Sequence, residues 1–224
     1  MLKRLSRRRV AVVAAVVLVA VAGTLAFGLG RGLEPAPEAA SDAAAETQID
    51  AAVDRLLADV AAPEAAGVVH AGEGDLVVTV FSSPNCPHCR TFSATVRAAA
   101  RARPEVTYQV REVAFNDADR EAVAVTTALD AQNLYPDFYA RFADVEGELD
   151  GRSARELARA LGADMAMLEA AVANGASDAE VSHNRELAGA IGLRATPSVI
   201  VAGRLLEGAV DRATLLRLID EARG

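Results

Sequence analysis

Cys86-Pro87-His88-Cys89 holds the two cysteines of a 224-residue chain. With no third thiol there is no framework of structural disulfides, so the pair either does chemistry or holds a metal. A C-x-x-C that directly follows a strand-like run (Leu76 to Phe81) and opens a helix has the layout of thiol–disulfide exchange. Three features favour a thiolate at Cys86. A helix start offers free backbone N–H groups and the positive end of the macrodipole. Pro87 suits the first helical position, where its missing N–H has no partner to lose. His88, when protonated, adds a nearby positive charge. Cys89, three residues on, shares a helix face with Cys86 and is placed to attack a mixed disulfide formed there. A stabilised thiolate favours the reduced protein and makes the disulfide a stronger oxidant. His88 therefore points to oxidation or isomerisation of substrates rather than simple reduction.

Other uses of the pair are narrower. Haem attachment requires His directly after the second Cys, and Arg90 stands there. A structural zinc site takes four ligands, and the remaining histidines, His70 and His183, have no ligand-like spacing. No metal site and no cofactor are expected. Copper(I) accepts two thiolates alone, so copper binding stays open as an alternative function.

The elements around the motif follow from pattern. Leu76 to Phe81 is β-branched and nearly all apolar, as in a strand buried on both faces. Ser82-Ser83-Pro84-Asn85 breaks it, and a helix runs from the motif to about Arg103, ahead of Pro104. Val106 to Val113 reads as a second strand. A long Ala-rich helical region follows, in which Ser153–Glu156 and Ser177–Glu180 read as capping boxes and Gly175 and Gly192 as helix ends. Ser198 to Ala202, a turn at Gly203-Arg204, and Leu205-Leu206 read as a hairpin. Asp211 to Arg223 reads as an amphipathic helix with Leu215, Leu218 and Ile219 inward. The expected order is strand, CxxC helix, strand, helical insert, hairpin, helix.

The N-terminus bears on compartment. Lys3, Arg4, Arg7, Arg8 and Arg9 precede an uncharged, mostly apolar stretch from Val10 to about Gly30. As a helix this stretch spans roughly 30 Å, the thickness of a bilayer core. The flanking basic residues favour a cytoplasmic N-terminus and send the remainder across the membrane. Both a signal anchor (residues 10–30) and a signal peptide cleaved after Ala20-Val21-Ala22 are open; either puts the cysteines on the periplasmic or other extracytoplasmic side, where disulfides persist. Residues 31–45 read as a Pro/Ala/acid-rich linker. Within residues 46–66, Ile49, Val53, Leu56, Leu57 and Val60 form an apolar stripe at helical spacing. This helix either packs on its own domain or, through residues 47–60, joins copies of the chain into a homo-oligomer. The chain carries a net charge of −8, and six positive charges with no acid lie in residues 1–31, leaving the rest near −14. Such a surface argues against nucleic acid and anionic lipid as partners. Beyond Lys3 every basic residue is arginine, which reads as compositional bias.

Cys86-Pro-His-Cys89 after a strand, a helical insert, and Gly192-Leu-Arg-Ala-Thr196-Pro197 before another strand together resemble the DsbA-like branch of the thioredoxin superfamily. The resemblance covers about Asp75 to the C-terminus. It implies an α/β thioredoxin-like fold over residues 70–224 with a helical insert at about 117–190, and a thiol:disulfide oxidoreductase acting on exported proteins with a membrane redox partner. It also implies that Pro197 is the family's cis-proline and that Thr196-Pro197 holds the extended substrate. Thr before that proline is more similar to isomerase-type and ScsC-like members than to the principal DsbA oxidase. Ile49 to Gly67 is similar to the short N-terminal helix of ScsC-like proteins, some of which oligomerise through it, and Asn184, Arg185, Leu187 and Ala188 match the helix before their cis-proline loop. Two departures stand out. Ser82 to Asn85 replaces the acidic or aromatic residue common before the motif. The carboxylate often buried behind the second cysteine has no secure counterpart, since Asp75 and Glu112 lie at or near strand ends.

Overall fold

Val77–Ser82 (β2) carries Val78 and Val80 on one face and Thr79 and Phe81 on the other, all buried. A strand with both faces covered sits inside a sheet, and β2 does. It pairs in parallel with Thr107–Glu112 (β3) from Val77↔Thr107 to Ser82↔Glu112, and antiparallel with Ser198–Val201 (β4). Arg204–Glu207 (β5) closes one edge on β4, and Gly67–His70 (β1) closes the other, antiparallel to β3. The strand order is β1-β3-β2-β4-β5. This computed structural model describes residue 51, residues 54–62 and residues 67–224. The expected anchor at 10–30, the linker at 31–45 and part of the 46–66 helix lie outside the described residues. Among those described, no helix is long and apolar enough to cross a membrane.

β1 is a strand absent from the expected order of elements. Four residues are too few for period-two alternation to register. Gly67 is glycine for a packing reason: a Cβ there would lie 2.2 Å from Cζ of Tyr135. The hairpin turn also falls one residue earlier than expected. Ala202 and Gly203 occupy it with φ of 46° and 74°, the paired positive φ of a type I′ turn.

The helices fall on the two sides of this sheet. Pro87–Ala102 (α1) and Arg212–Arg223 (α7) cover the face of Val78, Val80, Tyr108, Val110, Val199 and Val201. Leu215, Leu218 and Ile219 of α7 point inward as expected, and Asp211 caps it by accepting from Thr214 N at 2.8 Å. Between β3 and β4 run Asp117–Asp130 (α2), Tyr135–Arg141 (α3), Gly151–Ala160 (α4), Met165–Ala173 (α5) and Ala176–Ala190 (α6). α3 and the 3-10 turn Phe142–Asp144 bury Tyr135, Phe138, Tyr139 and Phe142 as successive ring neighbours against the core that α1 shares. Those aromatics are core, whereas Phe115 is 59% exposed.

Both expected capping boxes are corrected. Asp150 caps α4 and Ser153 is its reciprocal partner three residues in, because an aspartate at the earlier position extends the helix by a turn. Gly175, with φ of 77° and no side chain to cap with, is the N-cap of α6, so Ser177 lies inside the helix. Gly192, with φ of 68°, follows the last turn of α6, in line with a glycine helix end.

The other sheet face is covered by α6, through Leu187 and Ala188, and by the helical segment 54–61, through Val60 with Leu56 beside it. The carbonyl end of that segment sits on buried polar side chains. Val60 O accepts from Thr79 Oγ1 at 3.2 Å, Gln109 Nε2 at 2.9 Å and Arg111 Nε at 2.9 Å. Arg111 Nη2 also donates to Asp59 O at 2.6 Å and Ala62 O at 2.7 Å.

Candidate functional site

Cys86 is the N-cap of α1, with extended backbone angles, and Pro87 takes the first helical position. The capping bond is unusual in that the acceptor is sulfur: Cys89 N donates to Cys86 Sγ at 3.3 Å. The chain reaches this position because Ser83 O accepts from Cys86 N at 3.2 Å, turning the backbone out of β2. Both cysteines are free thiols; Cys86 is half-buried and Cys89 buried. Pro87 and His88 are exposed on the first turn, next to the one sulfur that a protein substrate can reach.

The second wall of the site comes from a distant part of the chain. The Thr196–Pro197 peptide bond is cis, and Cys86 Sγ donates to Thr196 O at 3.3 Å across a separation of 110 residues. Thr196 is half-buried and Pro197 buried. The Thr196 side chain favours the Cys89 thiolate. That effect is outweighed. Burial first, and the hydrogen bond with Cys86 second, push the Cys89 thiol up to about 12. The dithiol therefore holds its proton firmly at Cys89, while the sulfur of Cys86 caps the helix start.

The structure brings Cys86, Cys89, Thr196 and Pro197 together, with Pro87 and His88 on the rim. It also brings in residues that the sequence reading passed over. Asn85 Nδ2 donates to Asp119 Oδ1 at 2.8 Å and to Leu149 O at 3.2 Å, and its Oδ1 accepts from Leu149 N at 2.7 Å. Asp119, 2% exposed, also accepts from Phe115 N at 3.0 Å and Ser83 Oγ at 3.5 Å. Asn85 had counted only as part of a strand break, and its partners lie 34 and 64 residues away. Its position directly before the motif was the one available signal.

The question of a buried carboxylate has an answer in placement. Asp75 is exposed, whereas Glu112 is buried at the end of β3 and accepts from the Thr126 hydroxyl. Burial pushes Glu112 up to about 7, against the lowering effect of Thr126. His70 Nε2 lies 2.7 Å from Pro104 O and His183 is exposed on α6. Among the described residues no group of three or more His, Cys, Asp or Glu side chains is arranged to hold a metal.

A half-buried sulfur capping a helix, beside a cis-proline loop and backed by a protonated thiol, is built for thiol–disulfide exchange, and on this sheet it defines the class as thiol:disulfide oxidoreductases of thioredoxin-like fold. Comparison with known proteins agrees. The family described as Thioredoxin matches residues 68–221, and the chain belongs to that family. It is 26% identical over 157 residues to the thiol:disulfide interchange protein DsbA of Bordetella pertussis, covering 66% of this chain and 75% of that protein. A thioredoxin-like oxidoreductase from Silicibacter pomeroyi superposes with a TM-score of 0.69 at 27% identity, over 74% of this chain and 96% of the other. The catalytic domain of Proteus mirabilis ScsC shares the fold, with a TM-score of 0.67 at 20% identity over 75% of this chain and 97% of that one.

Proposed function

We propose that this protein acts on the extracytoplasmic side of the cell membrane, forming or isomerising disulfides in exported proteins through Cys86 and Cys89. The observation that carries the reading is the asymmetry of the pair. Cys86 is reachable and takes an N–H on its sulfur, while Cys89 is buried and holds its proton up to about 12. In oxidation, a substrate thiolate attacks Sγ of Cys86 in the Cys86–Cys89 disulfide. The S–S bond breaks, the electron pair leaves on Cys89, and Cys89 takes up a proton. A second substrate thiolate then attacks the substrate sulfur of the mixed disulfide and expels Cys86 as thiolate, so the substrate is oxidised and the enzyme reduced. In isomerisation, the Cys86 thiolate opens a substrate disulfide first. A different substrate thiolate then attacks the substrate sulfur of the adduct and expels Cys86. If Cys89 resolves instead, the substrate leaves reduced with the enzyme as disulfide, and the oxidation route above re-forms the substrate bond. Cys89 becomes easier to ionise in the adduct, because the hydrogen bond with a Cys86 thiolate that raises it is gone.

In this scheme His88 tunes the potential, Pro87 shapes the helix start, and Thr196-Pro197 holds the substrate strand against the sulfur. A membrane redox partner resets the pair. A family resemblance, an export-type N-terminus and the acidic body support the compartment.

Replacing Cys89 with Ala tests the reading. The variant should accumulate mixed disulfides between Cys86 and exported proteins, resolvable on non-reducing gels and lost on further replacement of Cys86. Failure to trap any adduct, together with no oxidation of reduced RNase and no unscrambling of misbridged RNase by the wild type, sinks it. Tight stoichiometric Cu(I) binding beside negligible exchange would assign the copper role instead. A monomer with a high reduction potential indicates an oxidase; an oligomer built through residues 47–60 that unscrambles RNase indicates an isomerase.

A further inference from the structure

We infer that Arg90 is a positioning residue of the redox site: it locks the segment just before Cys86 to the 145–147 loop of the helical region and fixes a positive charge on Pro84 and Asn85, the residues that lead into Cys86. Arg90 directly follows the motif, half-buried in the first turns of α1. Its Nε and Nη2 donate to Pro84 O at 3.1 and 3.0 Å, and Nη2 reaches Asn85 Oδ1 at 3.2 Å. Its Nη1 donates to Val145 O at 2.7 Å and Gly147 O at 2.8 Å, across 55 and 57 residues. These named acceptors are carbonyl and amide oxygens, which neutralise none of the charge. Burial works against the guanidinium, and the group whose negative charge works in its favour is Cys86.

The planar fork matters as much as the charge. A lysine has the charge but not donors that reach two loops at once. Asn85 completes the lock, because the oxygen that accepts from Arg90 also accepts from Leu149 N, and its amide nitrogen is held by buried Asp119. Movement of the 145–149 loop therefore moves Asn85, the residue before Cys86, and the guanidinium bound to it together. A cation held there stabilises the reduced, thiolate form and raises the potential of the disulfide. The inference rests on the thiol–disulfide reading above, but its test separates the two.

Wild type, Arg90→Lys and Arg90→Gln are equilibrated with glutathione buffers, and the thiolate absorbance of each dithiol form is followed with pH. Wild type should reach a measurable equilibrium; if it never exchanges with glutathione, the underlying reading fails and takes this inference with it. The constant for reduction by glutathione should fall about tenfold in Arg90→Gln, equivalent to about 30 mV, and about threefold in Arg90→Lys. The thiolate transition should move to higher pH in the same order, a readout that a merely structural role would leave in place. An Arg90→Gln constant within about twofold of an exchanging wild type, or an Arg90→Lys constant equal to it, overturns the assignment. Should Arg90→Gln fail to fold, the Arg90→Lys comparison decides alone.

Discussion

The two faces of the sheet differ in how much buried hydrogen bonding accompanies their apolar packing. On the face that carries α1 and the redox pair, Val78, Val80, Tyr108, Val110, Val199 and Val201 meet an apolar layer. On the other, Thr79, Gln109 and Arg111 alternate with those residues along the same strands and hold backbone carbonyls at residues 59–62. Apolar packing is non-directional and tolerates small shifts. A buried guanidinium on carbonyls is directional and costly to leave without partners. The redox face thus relies chiefly on burial, whereas the segment at 54–61 adds directional hydrogen bonds to the apolar contacts of Val60 and Leu56.

The comparison breaks first at Arg111. This side chain is 0% exposed and also donates from Nη1 to Asn184 Oδ1 at 2.9 Å, so it ties segment 54–61 to α6 across the polar face. Arg111→Met keeps volume and removes the donors. The expected loss is about 3 to 5 kcal/mol in urea unfolding, with accelerated amide exchange at residues 54–61. The glutathione equilibrium of the folded variant should stay at the wild-type value, because the redox pair sits on the opposite layer. A loss below about 1 kcal/mol would mean that packing, not the donor set, holds the segment.

Glu112 is the exception on the apolar face, and it tests the same rule from the other side. Its ordinary value is 4.5 and burial takes it to about 7 in the fold. Between those two values the folded protein holds a proton that the unfolded chain has released, so stability falls as pH rises through that window. The full loss is about 3 kcal/mol once pH exceeds the folded value. Glu112→Gln retains an acceptor for Thr126 and removes the charge. It should be more stable than wild type above neutrality and equal to it near pH 4, by urea midpoints across pH. Part of the slope should survive, because Glu180 is also pushed up to about 7, chiefly by burial. A variant profile parallel to wild type throughout would remove Glu112 as the cause.

This contrast also explains what was legible beforehand. Val78 and Val80, the CxxC helix start, the α7 stripe and the Thr196-Pro197 loop each leave a local signal of periodicity, capping or motif. Arg90 and Arg111 leave none: in a chain whose basic residues are nearly all arginine they read as composition, and the acceptors that give them their roles lie about 50 residues away. Glu112 was visible as an acid near a strand end, but its burial depends on α2 folding over it through Thr126. β1 was too short to carry a pattern at all. Long-range polar contacts are therefore where sequence pattern stops and coordinates begin to add.

The smallest effect sharpens the contrast most cleanly. Tyr135 is buried on the apolar side, its hydroxyl has no hydrogen-bond partner among the described residues, and its ring is fixed by Phe138, Tyr139 and the backbone at Gly67. Among apolar neighbours an orphan hydroxyl contributes desolvation cost and no bond. Tyr135→Phe preserves the ring and its stacking, so stability should rise by about 1 kcal/mol, with the redox equilibrium unchanged. A loss of stability of similar size would show that the hydroxyl is hydrogen-bonded in solution, for instance to an ordered water. The redox face would then hold a second buried polar contact beside Glu112 and Thr126, and the difference between the two faces would narrow further.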